Sequence, residues 1–168
     1  MKTQKGFQEN KKNLFLVLVF SLFTVSVCNA QTWGEMKSWL TTGGGVETLA
    51  RFAHPADGFM KYTVESQSSD NIVISIKYEG IFRTYWATYR ITRGYYDGDY
   101  IFKYIDVTSE VAIPASFDGL DVLVSNLPAS DQEEFDELSL DIYGCSWYSL
   151  SGAKKAALML TALFYTSY

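Results

Sequence analysis

The sequence predicts an α+β fold in which helices pack on one face of an antiparallel sheet. Apolar residues recur at helical spacing in residues 33–53 and again in residues 152–165, whereas they alternate with a period of two in residues 59–107. Short turn signals separate the alternating segments, so consecutive strands are expected to pair as a meander. The predicted architecture is two short N-terminal helices, a four- to five-strand antiparallel meander, and an apolar C-terminal helix packed on one sheet face.

The first thirty residues are predicted to be a signal peptide that lies outside the fold. Four lysines precede an apolar run from Leu14 to Val27, which is shorter than the about 20 residues that a membrane span needs. We expect cleavage before Gln31, which leaves a single globular domain at 31–168. The pattern is typical of bacterial export to the periplasm or the extracellular space. A lipoprotein signal would instead anchor the chain at Cys28, but Val27 stands where such signals usually carry Gly, Ala or Ser.

Charge and composition narrow the classes of partner. The sequence has 14 basic and 19 acidic residues; removing the four lysines and one glutamate of the leader leaves 10 and 18, a net charge of −8. Such a surface repels phosphates, so nucleic acid is not an expected partner. Hydrophobic residues make up 48% of the sequence, which is enough for one folded core. Cys145 is the one cysteine after the leader, so no intramolecular disulfide is expected.

The N-terminal helices are predicted from capping and spacing. Thr32 and Glu35 have the Thr-x-x-Glu spacing of a capping box, and apolar residues then follow at helical intervals to about Leu40. Three glycines interrupt the pattern. A second helix is predicted from about Val46 to Ala53, where apolar residues form one stripe. It is expected to end there because the residue before Pro55 is disfavoured in a helix.

The central alternating segments predict an antiparallel sheet. No membrane span is expected in the mature chain, because the apolar part of its last helix is far too short to cross a bilayer. Polar breaks separate the first two segments, and Asp97-Gly98 is the strongest hairpin signal in the chain. Neither side of the last segment is plainly polar. Four strands are predicted, at about residues 59–65, 72–78, 81–93 and 100–107.

The chain after the fourth strand has a less regular pattern. A short apolar alternation makes Leu120–Leu127 a candidate fifth strand, and Ser130 with Glu133 repeats the capping-box spacing, which predicts a short acidic helix. Leu138–Tyr143 is predicted to be a short strand. A helix at Gly152–Tyr165 is apolar nearly all round, so we expect it to be buried across the concave face of the sheet or against another subunit.

Aromatic residues are concentrated in the third strand, the fourth strand and the turn between them. Tyrosine and tryptophan provide rigid contact area with a polar tip, which suits both protein interfaces and sugar faces. Stabilisation of the sheet through cross-strand pairs is the alternative role for the aromatic residues within the strands. The hairpin itself does not require Tyr95 and Tyr96, which makes them the best candidates for contact with a partner. The predicted ligand or partner residues are Trp86, Tyr95, Tyr96, Asp97, Asp99 and Tyr100.

A catalytic alternative uses Cys145 and His54, the only histidine, since an imidazole can remove a thiol proton. Gly144-Cys145-Ser146-Trp147 resembles the residues around a papain-type nucleophile over four positions. In papain-type enzymes the histidine follows the cysteine, whereas His54 precedes Cys145 by 91 positions. A packed small hydrophobe is the competing role for Cys145.

The sequence predicts no metal site and no cofactor. The acidic run at 131–141 lacks the Asp-x-Asp-x-Asp-Gly pattern of a calcium loop, and one histidine with one cysteine does not complete a structural zinc site. The leading hypothesis is therefore a small exported binding or interaction domain without catalytic activity. It would use the aromatic-rich sheet face, or a cavity between the sheet and the C-terminal helix, to bind a protein, a glycan or an apolar small molecule. The alternative is a cysteine-dependent enzyme.

Overall fold

The structure is a computed structural model that describes residues 31–42, 44–53, 59–79, 84–109, 117 and 119–167. These residues form an α+β fold of five α-helices and one four-stranded antiparallel sheet, as predicted. None of the helices in this part of the chain combines the length and the apolar character needed to cross a membrane. In chain order the elements are α1 (Trp33–Thr42), α2 (Gly45–Ala53), β1 (Phe59–Gln67), β2 (Asn71–Glu79), β3 (Thr84–Tyr96), β4 (Asp99–Ser109), α3 (Gly119–Ser125), α4 (Ala129–Tyr143), a 3₁₀ turn (Trp147–Ser149) and α5 (Gly152–Thr166).

The sheet is the predicted meander, with strand order β1-β2-β3-β4. The turn between β3 and β4 is formed by Asp97 and Gly98, whose φ angles are 46° and 94°. A two-residue turn with both central residues at positive φ matches the twist of the flanking strands, and aspartate and glycine tolerate this conformation. The hairpin predicted from the Asp-Gly pair is confirmed.

The capping box predicted at the start of α1 is also confirmed. The backbone N–H of Thr32 donates to Glu35 Oε2 at 2.6 Å, and the backbone N–H of Glu35 donates to Thr32 Oγ1 at 3.2 Å. The hydrogen bonds from Thr32 hold the pKa of the Glu35 carboxyl below its usual value. Amides that the first helical turn leaves without a partner are therefore paired locally.

The hydrophobic core lies between the sheet and helices α1, α2 and α5. Helix α5 packs along β4, and its residues 155–162 and Phe164 are buried. At the centre of the core, the Phe102 ring of β4 lies 5.9 Å from the Trp33 ring and 6.5 Å from the Phe164 ring. Trp39 contacts both phenylalanines, at 6.3 Å and 5.6 Å between ring centroids. These side chains occupy the space between the sheet and α5.

A bulge between Thr92 and Arg93 of β3 changes which side chains of β4 face the core. Ile105 pairs with Ile91, whereas Phe102 pairs with Arg93, so Lys103 has no opposing residue. Phe102 and Ile105 are both fully buried although an odd number of positions separates them. This shift explains why simple alternation along β4 shows no clearly polar side.

Side chains of α4 and α5 pair with the outer backbone groups of β4. The Phe102 N–H donates to Thr161 Oγ1 at 3.0 Å, while the hydroxyls of Tyr143 and Tyr165 donate to the carbonyls of Lys103 and Tyr100 at 2.7 and 2.8 Å. A sheet edge whose backbone groups are paired in this way is not a template for another strand. The β4 edge is therefore closed by the chain itself at residues 100–103.

Tyr143 and Tyr165 should make the protein lose stability in alkaline solution. Burial raises the pKa of both phenols, and for Tyr165 the charge of Asp99 adds to the effect. In the unfolded chain these phenols ionise at about pH 10, so they lose their protons at a lower pH in the unfolded state than in the folded state. Their contribution to stability is complete below about pH 10 and is lost as the pH rises toward the higher folded pKa values. Urea unfolding from about pH 8 to about pH 11 measures this decline.

The double variant Tyr143→Phe/Tyr165→Phe should show a shallower alkaline decline than the wild type, because the phenols that resist ionisation are gone. Tyr148→Phe is the matched control, since the Tyr148 side chain is exposed. Equal slopes for the wild type and the double variant would show that these two phenols do not set the alkaline limit.

Two predictions in the last third of the chain are wrong. Leu120–Leu127 was a candidate fifth strand, but the structure has helix α3 there, in which Leu120 and Val124 are buried four positions apart. Leu138–Tyr143 was expected to form a short strand, but it is the C-terminal part of α4. Short apolar runs fit both periods, and packing on the core selects the helix.

Helix α4 is also longer than the sequence indicates. It begins at Ala129, directly after Pro128, so Ser130 lies within the first turn and is not its cap. It ends at Gly144, which has φ 73° and donates its N–H to the Leu140 carbonyl at 2.8 Å. Proline before the first turn and glycine in the left-handed region after the last are typical helix boundaries.

Candidate functional site on the outer sheet face

The outer face of the sheet, defined as the face turned away from α5, carries mainly polar side chains. The core side of β2 buries Ile72, Ile74, Ile76 and Tyr78, so the alternate residues of the sheet point to the outer face. One row of this face contains a hydroxyl on every strand, since Thr63 pairs with Ser75, Ser75 with Thr88, and Thr88 with Thr108. In the next row Lys61 pairs with Lys77, and Lys77 with Trp86.

A groove of about 450 Å³ crosses this face. Its volume falls in the range of sites that bind small molecules, about 300–1,000 Å³. The lining combines one aromatic ring, three hydroxyls and one carboxylate. The lining residues are Glu65, Ser75, Trp86, Thr88 and Thr108.

Trp86 presents a flat apolar surface in the groove. Its side chain is 42% exposed, which is unusual for a large aromatic residue in the middle of a sheet. Lys77, its cross-strand neighbour, places its Nζ 5.6 Å from the Trp86 ring centroid. This cation–π contact supports the ring from one side and leaves the rest of the ring open to a ligand.

The polar groups of the groove offer both donors and acceptors. Ser75 Oγ and Thr88 Oγ1 are 3.1 Å apart and share one hydrogen bond. A hydroxyl has one donor and two acceptor positions, so each retains capacity for a ligand. Glu65 lies at the β1 bulge between Val64 and Ser66, and its exposed carboxylate accepts hydrogen bonds only.

Charges of both signs surround the groove. The hydrogen bond from Lys77, together with the charge of Lys61, holds the pKa of the Glu79 carboxyl below its usual value. Further along the same face Arg90 pairs with Asp106 across β3 and β4. This mixture favours a polar uncharged ligand over a strongly anionic or cationic one.

The predicted partner residues fall into two separate places. Trp86 lies in the groove, whereas the others lie at the hairpin tip, with Tyr95 nine residues further along β3, which corresponds to about 30 Å. Tyr95 is 66% exposed, and its ring makes an edge contact with the Tyr100 ring at 5.4 Å. Asp97 is exposed in the turn, and Asp99 pairs with Tyr96 at the start of β4.

Internal contacts hold several side chains of this tip. The Tyr96 hydroxyl donates to Asp141 Oδ2 of α4 at 2.8 Å, and this hydrogen bond raises the pKa of Tyr96. The Arg93 guanidinium lies 5.1 Å from the centre of the Tyr100 ring and pairs with Asp70 at 2.7 Å. Tyr100 also packs against the core. Tyr95 is thus the tyrosine of the tip with the largest open surface.

Four groove residues were not singled out from the sequence: Glu65, Ser75, Thr88 and Thr108. The alternation of β1 and β2 indicates that Glu65 and Ser75 point away from the core. Which hydroxyls share a row depends on the register of all four strands, and the position of Glu65 depends on the β1 bulge. No local motif in the sequence encodes either feature.

The residues of the catalytic alternative are only partly described. Cys145 has a free thiol, is partly buried against the core, and accepts a hydrogen bond on its carbonyl from Ser139 Oγ at 2.7 Å. His54 lies outside the described residues, so the Cys145–His54 hypothesis stays a prediction. In the described part of the chain, no three His, Cys, Asp or Glu side chains are grouped so as to hold a metal ion.

A scan against protein-family models, a search of curated proteins and a search of solved structures each gave no significant match. A functional interpretation of this chain therefore depends on the geometry and chemistry of its own surfaces.

Proposed function

We propose that the protein is an exported, non-catalytic binding domain that binds a glycan in the groove on its outer sheet face. The observation that carries the proposal is the half-exposed Trp86 ring beside the hydroxyls of Ser75 and Thr88 and the carboxylate of Glu65. A sugar ring has an apolar C–H face that stacks on an aromatic ring, and hydroxyl groups at its edge that need donors and acceptors. Export is inferred from the signal peptide predicted at residues 1–30.

The chemistry of the groove favours a glycan over an apolar ligand. An apolar ligand in the groove would cover hydroxyls without replacing their hydrogen bonds to water, which costs free energy for each group. The other location considered for an apolar ligand is the space between the sheet and α5. The rings of Phe102, Phe164 and Trp39 occupy that space, so a ligand there would have to displace core side chains.

The shape of the groove and the number of its carboxylates support binding of a small ligand without hydrolysis. A stable protein interface buries about 800 Å² on each partner and does not need a groove of this kind. Glycoside hydrolysis usually requires two carboxyl groups that flank the scissile bond. Among the residues that line the groove, Glu65 provides one carboxylate.

Trp86→Ala should weaken glycan binding about 30-fold or more, because an aromatic residue at the centre of a site commonly contributes about 2 kcal/mol or more. A glycan array with the wild-type protein identifies the ligand, and titration calorimetry measures the dissociation constants. Thr88→Val should give a smaller loss, since it removes one hydroxyl and keeps the shape of the side chain.

Tyr104→Ala is the matched control. Tyr104 is also an exposed aromatic residue of the sheet, at 41%, but it does not line the groove. Its replacement should leave the affinity unchanged. Equal losses from Trp86→Ala and Tyr104→Ala, or no glycan bound by the wild-type protein, would contradict the proposed function.

A further inference from the structure

The two edges of the sheet differ in their exposure. Tyr143, Thr161 and Tyr165 hydrogen-bond to the backbone of β4. Within the described part of the chain, no side chain hydrogen-bonds to the backbone of β1 at residues 59–67. The β1 side chains from residue 61 to residue 67 are exposed, apart from the partly buried Val64. An open edge strand presents unpaired N–H and C=O groups and is a template for another strand.

We propose that β1 pairs antiparallel with β1 of a second copy of the chain, forming a two-fold dimer with one continuous sheet. The segment Lys61-Tyr62-Thr63-Val64-Glu65 is complementary to itself about Thr63. When the two-fold axis passes through Thr63, Lys61 of each chain faces Glu65 of the other. Two-fold interfaces use the same surface on both chains, so this contact occurs twice.

The charges select this register among the neighbouring ones. A two-fold axis at Tyr62 places Lys61 opposite Thr63, and an axis at Val64 places Glu65 opposite Thr63, so neither pairs the opposite charges. Directly opposed residues of opposite charge stabilise an antiparallel pair, and like charges destabilise it. The Lys61 side chain is 63% exposed at the sheet edge, and its Nζ lies 3.9 Å from Glu79 Oε1, so a carboxylate of the second copy would join charges already present there.

The same register covers the apolar side of the edge. Tyr62 and Val64 point to the core side of the sheet, since they pair with Ile76 and Ile74. Tyr62 is nevertheless 47% exposed, and its hydroxyl donates to the Thr41 carbonyl at the end of α1. In the dimer Tyr62 faces Val64 of the second copy, so aromatic and β-branched side chains are opposed. The bulge after Val64 ends the regular pairing at Glu65.

Charged residues and a bulge also discourage pairing of an edge with unrelated strands. In β1 they discriminate between partners, because an unrelated strand would not place opposite charges directly across from both Lys61 and Glu65. The dimer does not depend on the proposed function. If both hold, the dimer places Lys61 of the second copy beside Glu65 at the groove and puts two Trp86 grooves on one face.

Charge reversal tests the register. Sedimentation of the wild-type protein over a concentration series should show a mass that rises toward twice that of the monomer. Lys61→Glu and Glu65→Lys should each raise the dimer dissociation constant about tenfold or more, since each puts like charges opposite one another twice. The double variant Lys61→Glu/Glu65→Lys should restore dimerisation to within about threefold of the wild type. Lys103→Glu, on β4, makes the same change of charge on the opposite edge and should have no effect.

A cysteine placed on the two-fold axis tests the geometry independently of charge. In a background with Cys28 and Cys145 replaced by serine, Thr63→Cys should form an intermolecular disulfide under mild oxidation, since directly opposed Cα atoms lie within disulfide reach. Thr108→Cys, on β4, should not. Circular dichroism confirms that each variant is folded. The proposal is overturned by a wild type that stays monomeric, by a double variant that does not recover dimerisation, or by equal cross-linking at both positions. A monomeric wild type would leave the β1 edge available to an extended peptide of another protein.

Discussion

Phe102→Ala is expected to lower the free energy of unfolding by about 3–5 kcal/mol, the range for removing a buried aromatic side chain. Phe102 is fully buried, and its ring contacts the rings of Trp33, Trp39 and Phe164. Its backbone N–H is bonded to Thr161 of α5, so the strand and the helix are fixed to each other at this residue. Because rings on three sides hold their positions, the cavity left by the substitution can collapse only in part.

Urea unfolding followed by circular dichroism measures the effect, and Tyr104→Ala is the control in the same strand. Tyr104 lies two residues away and is 41% exposed, so its replacement should cost less than about 1 kcal/mol. Phe102→Leu should fall between the two, because it retains most of the apolar volume. Equal costs for Phe102→Ala and Tyr104→Ala would mean that the sheet and α5 are not joined through Phe102.

The parts of the fold that were predicted correctly are those where a local pattern decides the structure. β2 is the clearest example, since it has neighbours on both sides and its burial alternates along its whole length. The turn at Asp97-Gly98 and the cap at Thr32 and Glu35 likewise involve residues close in sequence. Short-range geometry is enough to specify such features.

Errors occurred where contacts between distant residues choose among local alternatives. Leu120–Leu127 carries an alternation that fits a strand, but burial of Leu120 and Val124 on the core selects a helix. In β4 the bulge opposite Thr92 and Arg93 shifts the alternation, and no residue type marks its position. Period alone therefore could not assign the two faces of β4.

The candidate site shows the same limit. The aromatic content of β3 drew attention to Trp86, but the residues that line the groove with it come also from β1, β2 and β4 and meet it only through the strand register. At the hairpin tip, local reasoning gave Tyr96 no internal partner. The structure provides one, Asp141, which lies 45 residues away. A local sequence pattern therefore identifies which residue types are exposed better than it identifies which residues lie beside them in the fold.

Asp121→Ala is expected to lower the free energy of unfolding by about 2–4 kcal/mol, because it leaves a buried ammonium without its counter-charge. Lys155 of α5 is 6% exposed, and its Nζ lies 2.8 Å from Asp121 Oδ1 of α3. The same carboxylate accepts a hydrogen bond from Trp147 Nε1 at 3.0 Å, so Asp121 joins α3, α5 and the 3₁₀ turn. The Asp121 side chain is 43% exposed, which places the expected cost below the upper limit for fully buried pairs.

Lys155→Met should cost much less than Asp121→Ala, about 1 kcal/mol or less, although it removes the other half of the same pair. Methionine has a similar length and needs no counter-charge in the buried site, while Asp121 stays partly hydrated and retains its bond to Trp147. The double variant Asp121→Ala/Lys155→Met should therefore be more stable than Asp121→Ala alone. Urea unfolding of the three variants completes a mutant cycle. Equal costs for the two single substitutions would show that Lys155 reaches solvent when its partner is lost, and that the ion pair is a surface contact and not a buried link between the helices.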